Sequence, residues 1–349
     1  MVEAASLIKS SNNTTVRKKR KVKMIISRTP LRVSLAGGGT DIQDFYATGH
    51  GSVLSMSIKN YIYITVNRRF EDDIRVSYSK TEIVDSVDKL DHGIVRECLR
   101  KVGIASNIEV TTIADIPSKG TGLGSSSALT VGLLNSLYAF TGHRASPKKL
   151  AEEACEIEID ILKEPIGKQD QYIAAYGGMQ FIKFNADETV FVDPVICPPK
   201  MKRDIEKHMM LFYTGKTRNS GSILSKQKSN SKQNKETLDR MREQSETLFH
   251  ELTACNVDAI GKVLKEGWGL KKSLASGISD GEIDKLYDKA IHAGALGGKL
   301  TGAGGGGFLV FFVPPENHQA VREALSGFKE VQFKIEPQGS KIIYVGDEM

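Results

Sequence analysis

The chain has 349 residues, 40% of them hydrophobic and 26% charged, which suits a soluble globular protein of one large or two ordinary domains and excludes disorder throughout. The formal net charge of +6 sits at the start. Residues 1–23 hold seven of the 48 basic residues and one of the 42 acidic ones, so the remainder is formally neutral, with no excess to follow a nucleic-acid backbone.

Residues 1–23 read as a disordered basic leader without a signal-peptide core, and nothing beyond them reaches the roughly 18 apolar residues of a membrane span. Ordered structure is expected from Met24. Segments 24–35, 52–58, 61–70, 74–78 and 108–113 are rich in β-branched and aromatic residues that partly alternate with polar ones, as in half-buried antiparallel strands. A helix is expected from Ser125 to Phe140. Another, of about 16 residues, starts where Ser146-Pro147 supplies an N-cap and a first helical position. A short helix follows Gly167, and 179–193 read as a hairpin. A strand at 208–214, helices from about 222 to 294, a buried strand at 307–313, a helix from Pro315 and two short strands complete the chain. This mixture predicts an α+β protein in two lobes: a leader at 1–23, one lobe at 24–200 and a second at 201–349.

Four cysteines, Cys98, Cys155, Cys197 and Cys255, form no CxxC, and the histidines form no HExxH. Isolated cysteines fit reduced core positions in a cytoplasmic protein, and neither pattern supports transition-metal or redox catalysis.

Three glycine-rich segments carry the chemistry. In the first, Pro117-Ser-Lys119-Gly120-Thr-Gly122-Leu123-Gly124-Ser125-Ser126-Ser127-Ala128, three alternating glycines lead into an apolar helix. Glycine lets a backbone approach an anion closely, and the helix start adds free N–H groups and a positive dipole end. Together these predict a phosphate cradle. It is not a Walker A motif, because Gly215-Lys216-Thr217 lacks the glycine that motif requires at 210, where Met stands. The second segment, Lys299-Leu-Thr-Gly302-Ala-Gly304-Gly305-Gly306-Gly307-Phe308, must meet either another loop or a bound nucleotide closely. The third, Arg28-Thr-Pro-Leu-Arg32-Val-Ser-Leu-Ala-Gly37-Gly38-Gly39-Thr40-Asp41, sets a cation, a tight turn and a carboxylate near one another.

Together these segments resemble the signature motifs of the GHMP kinases, a superfamily that includes galactokinase, homoserine kinase and mevalonate kinase. The resemblance covers 24–349. Arg28–Asp41, Glu158–Gly178 and Ala295–Phe308 make it most similar to the D-glycero-D-manno-heptose 7-phosphate kinases, and Gly38-Gly39 replace the acidic-histidine pair of galactokinase. Fucokinase-like enzymes share much of the pattern.

The resemblance implies a two-lobed fold, with a ribosomal-protein-S5-like N-terminal lobe and a ferredoxin-like C-terminal lobe. It also implies ATP and magnesium as cofactors and transfer of the γ-phosphoryl to a sugar-phosphate hydroxyl. No nucleic-acid or membrane partner is implied. Asp170 matches the catalytic aspartate and Arg32 the motif's cation. Glu158 and Ser126 match magnesium ligands, and the segment from Pro117 to Ala128 the ATP site. Gly38, Gly39, Thr40, Asp41, Gly304 and Gly305 fall near the acceptor, and Lys168, Lys216 and Arg218 are the expected partners of its remote phosphate. On a helix carrying Glu152, Glu153, Glu156 and Asp160 a carboxylate usually faces water, so family register and not composition singles out Glu158.

Overall fold

The computed structural model describes residues 22–117, 120–216 and 220–347. Most of the expected leader, together with Lys119 and Arg218, lies outside them.

Long alternating segments form the larger sheet. Its strands are β1 (Val22–Ala36), β2 (His50–Arg68), β3 (Ile74–Ser77), β4 (Thr81–Val84), β5 (Ile108–Ala114), β6 (Met179–Asn185) and β7 (Val190–Pro194), joined by a last strand described below. The two strands expected at 52–58 and 61–70 are the single strand β2. The break is a bulge within β2: Pro30 pairs with Tyr61 and Leu31 with Ile58, so Lys59 and Asn60 stand out of the ladder. A bulge leaves its extra residues unpaired and bends the strand. The two halves of β2 accordingly meet different neighbours, Ile62–Arg68 pairing with β5 and His50–Met56 with β6.

The smaller sheet is antiparallel, built from β8 (Met209–Tyr213), β9 (Gly297–Leu300), β10 (Phe308–Phe312) and β11 (Lys329–Val331) in the order β11-β8-β10-β9. One apolar cluster, around Leu31, Val33 and Leu134, continues onto Leu211, Val310 and Phe312 of the smaller sheet, and a second gathers around Trp268, Ile278 and Phe311. The last strand, β12 (Lys341–Asp347), crosses back and pairs antiparallel with β1 at the edge of the larger sheet.

The helix Ser125–Phe140 follows the expected bounds and buries most of its length against β1 and β2. Ser146 caps the next helix, its hydroxyl accepting from the Lys149 N–H, with Pro147 at the first helical position. That helix passes at Glu156–Ile161 into a π-turn, marked by the Leu162 N–H bonding to the Ile157 carbonyl. The sequence reading also missed the helices Gly93–Val102 and Pro199–His208. The second was legible: Pro199 sits in its first turn, and Met201 and Ile205 recur at helical spacing and are buried. The region 222–294 divides into four helices, Ser220–Ser229, Lys235–Thr253, Ala259–Ser273 and Gly281–His292. The polar stretch from Lys226 to Lys235 holds the end of the first helix, a turn over residues 230–234 and the start of the second, with Gln227 and Ser231 buried. Among the described residues no helix is long and apolar enough to cross a membrane.

Candidate active site

The sheets and their helices enclose a cavity of about 790 Å³ onto which all three glycine-rich segments open. The first provides a rim of backbone amides. Gly120, Gly122 and Gly124 have φ of +67°, +73° and +76°, a region that side-chain-bearing residues rarely adopt. The first bond of the following helix runs from the Ala128 N–H to the Gly124 carbonyl, so the amides of Ser125, Ser126 and Ser127 have no acceptor within it. All three serines border the cavity.

The second segment braces the first. A Cβ on Gly302 would lie 2.3 Å from the Gly122 Cα, and one on Gly122 would lie 2.4 Å from the Thr301 carbonyl oxygen. A Cβ on Gly307 would lie 2.3 Å from the Thr121 carbonyl oxygen. The partner that these glycines require is therefore another loop, and their interlock joins the two halves of the molecule behind the rim.

Arg32 projects from β1 to the junction. Its Nε donates to Asp170 Oδ1 at 2.7 Å and its Nη2 to Asp170 Oδ2 at 2.6 Å, while Nη1 donates to the Gly122 carbonyl at 2.6 Å. This forked, charge-assisted contact fixes both groups in orientation. The Arg32 side chain is 7% exposed and that of Asp170 21%, so the carboxylate keeps an accessible edge. Asp170 stands in the first turn of the helix Gln169–Tyr176.

Glu158 lies in the π-turn, fully buried behind the rim. Its Oε1 accepts from the Ser126 hydroxyl at 2.8 Å and its Oε2 from Gln171 Nε2 at 2.6 Å. Burial raises its pKa from an ordinary 4.5 to about 7 against these donors, which pull it down. A buried carboxylate beside an exposed serine hydroxyl, answered by no cation among the described residues, is a donor set that suits a hard divalent ion.

At the other end Asp41 is buried, accepting from the N–H groups of Gly39 at 2.9 Å and Gln169 at 3.1 Å. Desolvation raises its carboxyl above its ordinary value, opposed by those backbone bonds. Ser34 Oγ and Gln169 Oε1, both buried on residues bordering the cavity, have no hydrogen-bond partner among the described residues. Lys271 and Lys299 border it as well.

Family models describe two parts of the chain: "GHMP kinases N terminal domain" matches residues 90–178 and "GHMP kinases C terminal" matches 248–330. The chain is 30% identical over 321 residues to the D-glycero-alpha-D-manno-heptose 7-phosphate kinase of Campylobacter jejuni, covering 87% of this chain and 94% of that protein. The chain belongs to the GHMP kinases.

A bifunctional fucokinase/GDP-fucose pyrophosphorylase of Arabidopsis thaliana is 25% identical over 88% of this kinase, which spans 31% of that longer protein. The crystal structure of a D-glycero-D-manno-heptose 1-phosphate kinase from Bacteroides thetaiotaomicron shares the fold, with a TM-score of 0.76 at 24% identity over 92% of this chain and 99% of that one. The expected two-lobed α+β architecture is thus the architecture of the family, and this GHMP kinase is an ATP-dependent enzyme.

The fold brings many of the residues selected from sequence to the cavity: Arg32, Gly38, Gly39, Asp41, Gly120, Gly122, Gly124, Ser125 to Ser127, Asp170 and Gly304 all border it. Others support it from behind. Leu123 and Ala128 are core residues, the Thr40 hydroxyl is tied to the Gly37 and Ser52 carbonyls, and the Gly305 N–H bonds to the Ile278 carbonyl. Pro117 precedes the rim without bordering the cavity. The lysines expected to meet a remote phosphate are engaged elsewhere. Lys168 pairs with Glu188 beside the Tyr46 ring, and Lys216 pairs with Asp280 at 3.2 Å and with Glu282. The cations that do face the cavity, Lys271 and Lys299, escaped the sequence reading. Nothing local distinguishes Lys271 from its neighbour Lys272, and Lys299 reads in the sequence only as the first residue of a glycine-rich segment.

Proposed function

We propose that this enzyme transfers the γ-phosphoryl group of ATP to the anomeric hydroxyl of D-glycero-D-manno-heptose 7-phosphate, giving the 1,7-bisphosphate. The observation that carries this reading is the bidentate Arg32–Asp170 pair, held between an anion-binding glycine rim and a polar pocket. The 30% identical relative supplies the choice of sugar.

Phosphoryl transfer proceeds through a loose transition state, so positioning and charge stabilisation dominate over covalent participation. The amides of Ser125 to Ser127 and the glycine backbone would receive the nucleotide phosphates, as a helix N-terminus receives anions. Ser126 and Glu158 would hold magnesium, which when bound neutralises charge on the phosphate oxygens. The orphaned polar atoms Ser34 Oγ and Gln169 Oε1, with Asp41, would engage sugar hydroxyls, since an unpaired buried polar group gains from any partner that enters.

Asp170 would accept a hydrogen bond from the attacking hydroxyl through its accessible edge and take its proton as the new bond forms. Arg32 holds that carboxylate in one orientation and places positive charge next to the reacting oxygen. Because the transition state is loose, Asp170 works chiefly by orienting the nucleophile, with proton transfer late.

The test is release of ADP from ATP and magnesium with heptose 7-phosphate, free heptose, L-fucose, D-galactose and mevalonate offered in turn, and phosphorus NMR of the product. Preferred turnover of the heptose phosphate with a new anomeric phosphate is expected. Preferred turnover of L-fucose would replace this reading with a fucokinase-like one, and preferred turnover of mevalonate would exclude a sugar acceptor.

A further inference from the structure

Two buried cations take no part in the transfer step just described. Lys271 lies on the helix Ala259–Ser273 and Lys299 on β9, and they are 7% and 6% exposed. Their ammonium groups reach only neutral acceptors, Lys271 the Gly302 carbonyl and Lys299 the Leu35 carbonyl at 3.4 Å. Among the described residues neither forms an ion pair, and Arg32, the third cation of the cavity, is already matched by Asp170.

Buried charge without an ion-pair partner is costly, and here two such charges are set near each other, with the Asp41 and Asp170 carboxylates acting on Lys271 only from beyond contact. Burial and then Lys271 and Arg32 hold the Lys299 pKa well below its ordinary value, and burial and then Arg32 lower that of Lys271 to about 8. Both border the cavity. A dianion entering it would relieve the desolvation cost and the mutual repulsion together.

The position of the pair indicates which dianion. The Leu35 carbonyl that Lys299 touches lies in the chain just before Gly37-Gly38-Gly39 and Asp41, and the carboxylates of Asp41 and Asp170 act on Lys271. We propose that Lys271 and Lys299 bind the phosphate that the acceptor already carries, and that this pair makes the enzyme select a phosphorylated sugar over a free one. The proposal rests on the sugar-phosphate reading above. The terminal phosphate of the nucleotide has the same chemistry, and Gly302, which accepts from Lys271, packs against Gly122 of the rim. The test therefore separates the two sources.

Full-length wild type, Lys271→Met, Lys299→Met and the two corresponding Gln variants are assayed with heptose 7-phosphate varied at saturating ATP, with ATP varied at saturating heptose 7-phosphate, and with free heptose as acceptor. Removing either ammonium group should raise KM for heptose 7-phosphate by roughly 10- to 100-fold. It should shrink the preference for phosphorylated over free heptose by a similar factor and leave KM for ATP within about twofold. A rise confined to the ATP KM would assign the lysines to the nucleotide and overturn the proposal, as would unchanged constants for both substrates.

Failure of the substrate reading shows in a different arm: the wild type itself would then turn over free heptose as well as the phosphate, and both ideas fall. Thermal unfolding without ligand guards against misfolding, because removing a desolvated charge should leave the variants at least as stable as wild type. Protection of the wild type by heptose 7-phosphate in the same measurement should be lost in the variants. Full protection in variants with raised KM would show that the lysines do not contact the phosphate.

Discussion

Glu158→Gln should stabilise the ligand-free enzyme while weakening its use of magnesium. The carboxylate is fully buried, and burial raises its pKa from an ordinary 4.5 to about 7. A group whose folded pKa is raised contributes stability that is complete below about 4.5 and lost as pH rises through about 7. Above both values the folded protein must hold an ionised, desolvated carboxylate. At about 1.4 kcal/mol per tenfold difference in proton affinity, that costs roughly 3 kcal/mol.

Glutamine removes the charge and keeps the shape. Its new amide needs an acceptor, and one is at hand, because Gln171 Oε1 is buried without a partner among the described residues and a rotation of that amide would present it. At pH 8 the variant should exceed wild type by up to roughly 3 kcal/mol. With an unfolding entropy of about 0.7 kcal/mol/K for a chain of this length, that is about 4 °C in Tm. At pH 5 the wild-type carboxyl is protonated in the folded state, and the gap should fall below about 1 kcal/mol. Thermal or urea unfolding at both pH values, without metal or nucleotide, measures the difference. Magnesium titration of ADP release should need a higher metal concentration in the variant. A variant no more stable than wild type at pH 8, or a gap independent of pH, would refute the argument that Glu158 is an uncompensated buried charge.

Asp170→Asn should lower kcat by about 10²- to 10⁴-fold while calorimetric ATP affinity changes little, because the amide keeps the shape but loses the basic oxygen and one arm of the Arg32 fork. Gly38→Ala should fold normally and raise KM for the sugar more than for ATP: the new Cβ would meet only Ser34 Oγ at 3.5 Å and Gln169 Nε2 at 3.6 Å, where the sugar is proposed to sit. Gly124→Val should impair both ATP binding and kcat, because the φ of +76° strains the rim and a Cβ would lie 3.1 Å from Arg32 Cγ and 3.3 Å from Asp170 Oδ2. Loss of ATP affinity with kcat unchanged would show that the rim and the Arg32–Asp170 pair are independent.

The features legible in the sequence were those that local chemistry decides. Alternating glycines before an apolar helix announced the rim, because left-handed backbone and free helix-start amides are properties of a dozen consecutive residues. Ser146-Pro147 announced a helix start for the same reason. The three glycine-rich segments together also identified the family, whose register pointed to Asp170 and Arg32, and the fold pairs these two at the cavity. Tertiary structure decided what depends on distant partners. Arg32 and Asp170 are 138 residues apart and meet only because β1 passes beside the helix that follows Gly167. The second glycine segment proved to be a brace for the first, since only the folded chain brings Gly302 onto Gly122. Lysine shows the division most clearly. Lys168 and Lys216 looked available for a phosphate but are paired with Glu188 and Asp280, while Lys271 and Lys299 face the cavity without an ion-pair partner among the described residues. A lysine has the same local signature on a surface and in a cavity, and the desolvation and counter-charge that separate the two cases are set by residues far away in the chain.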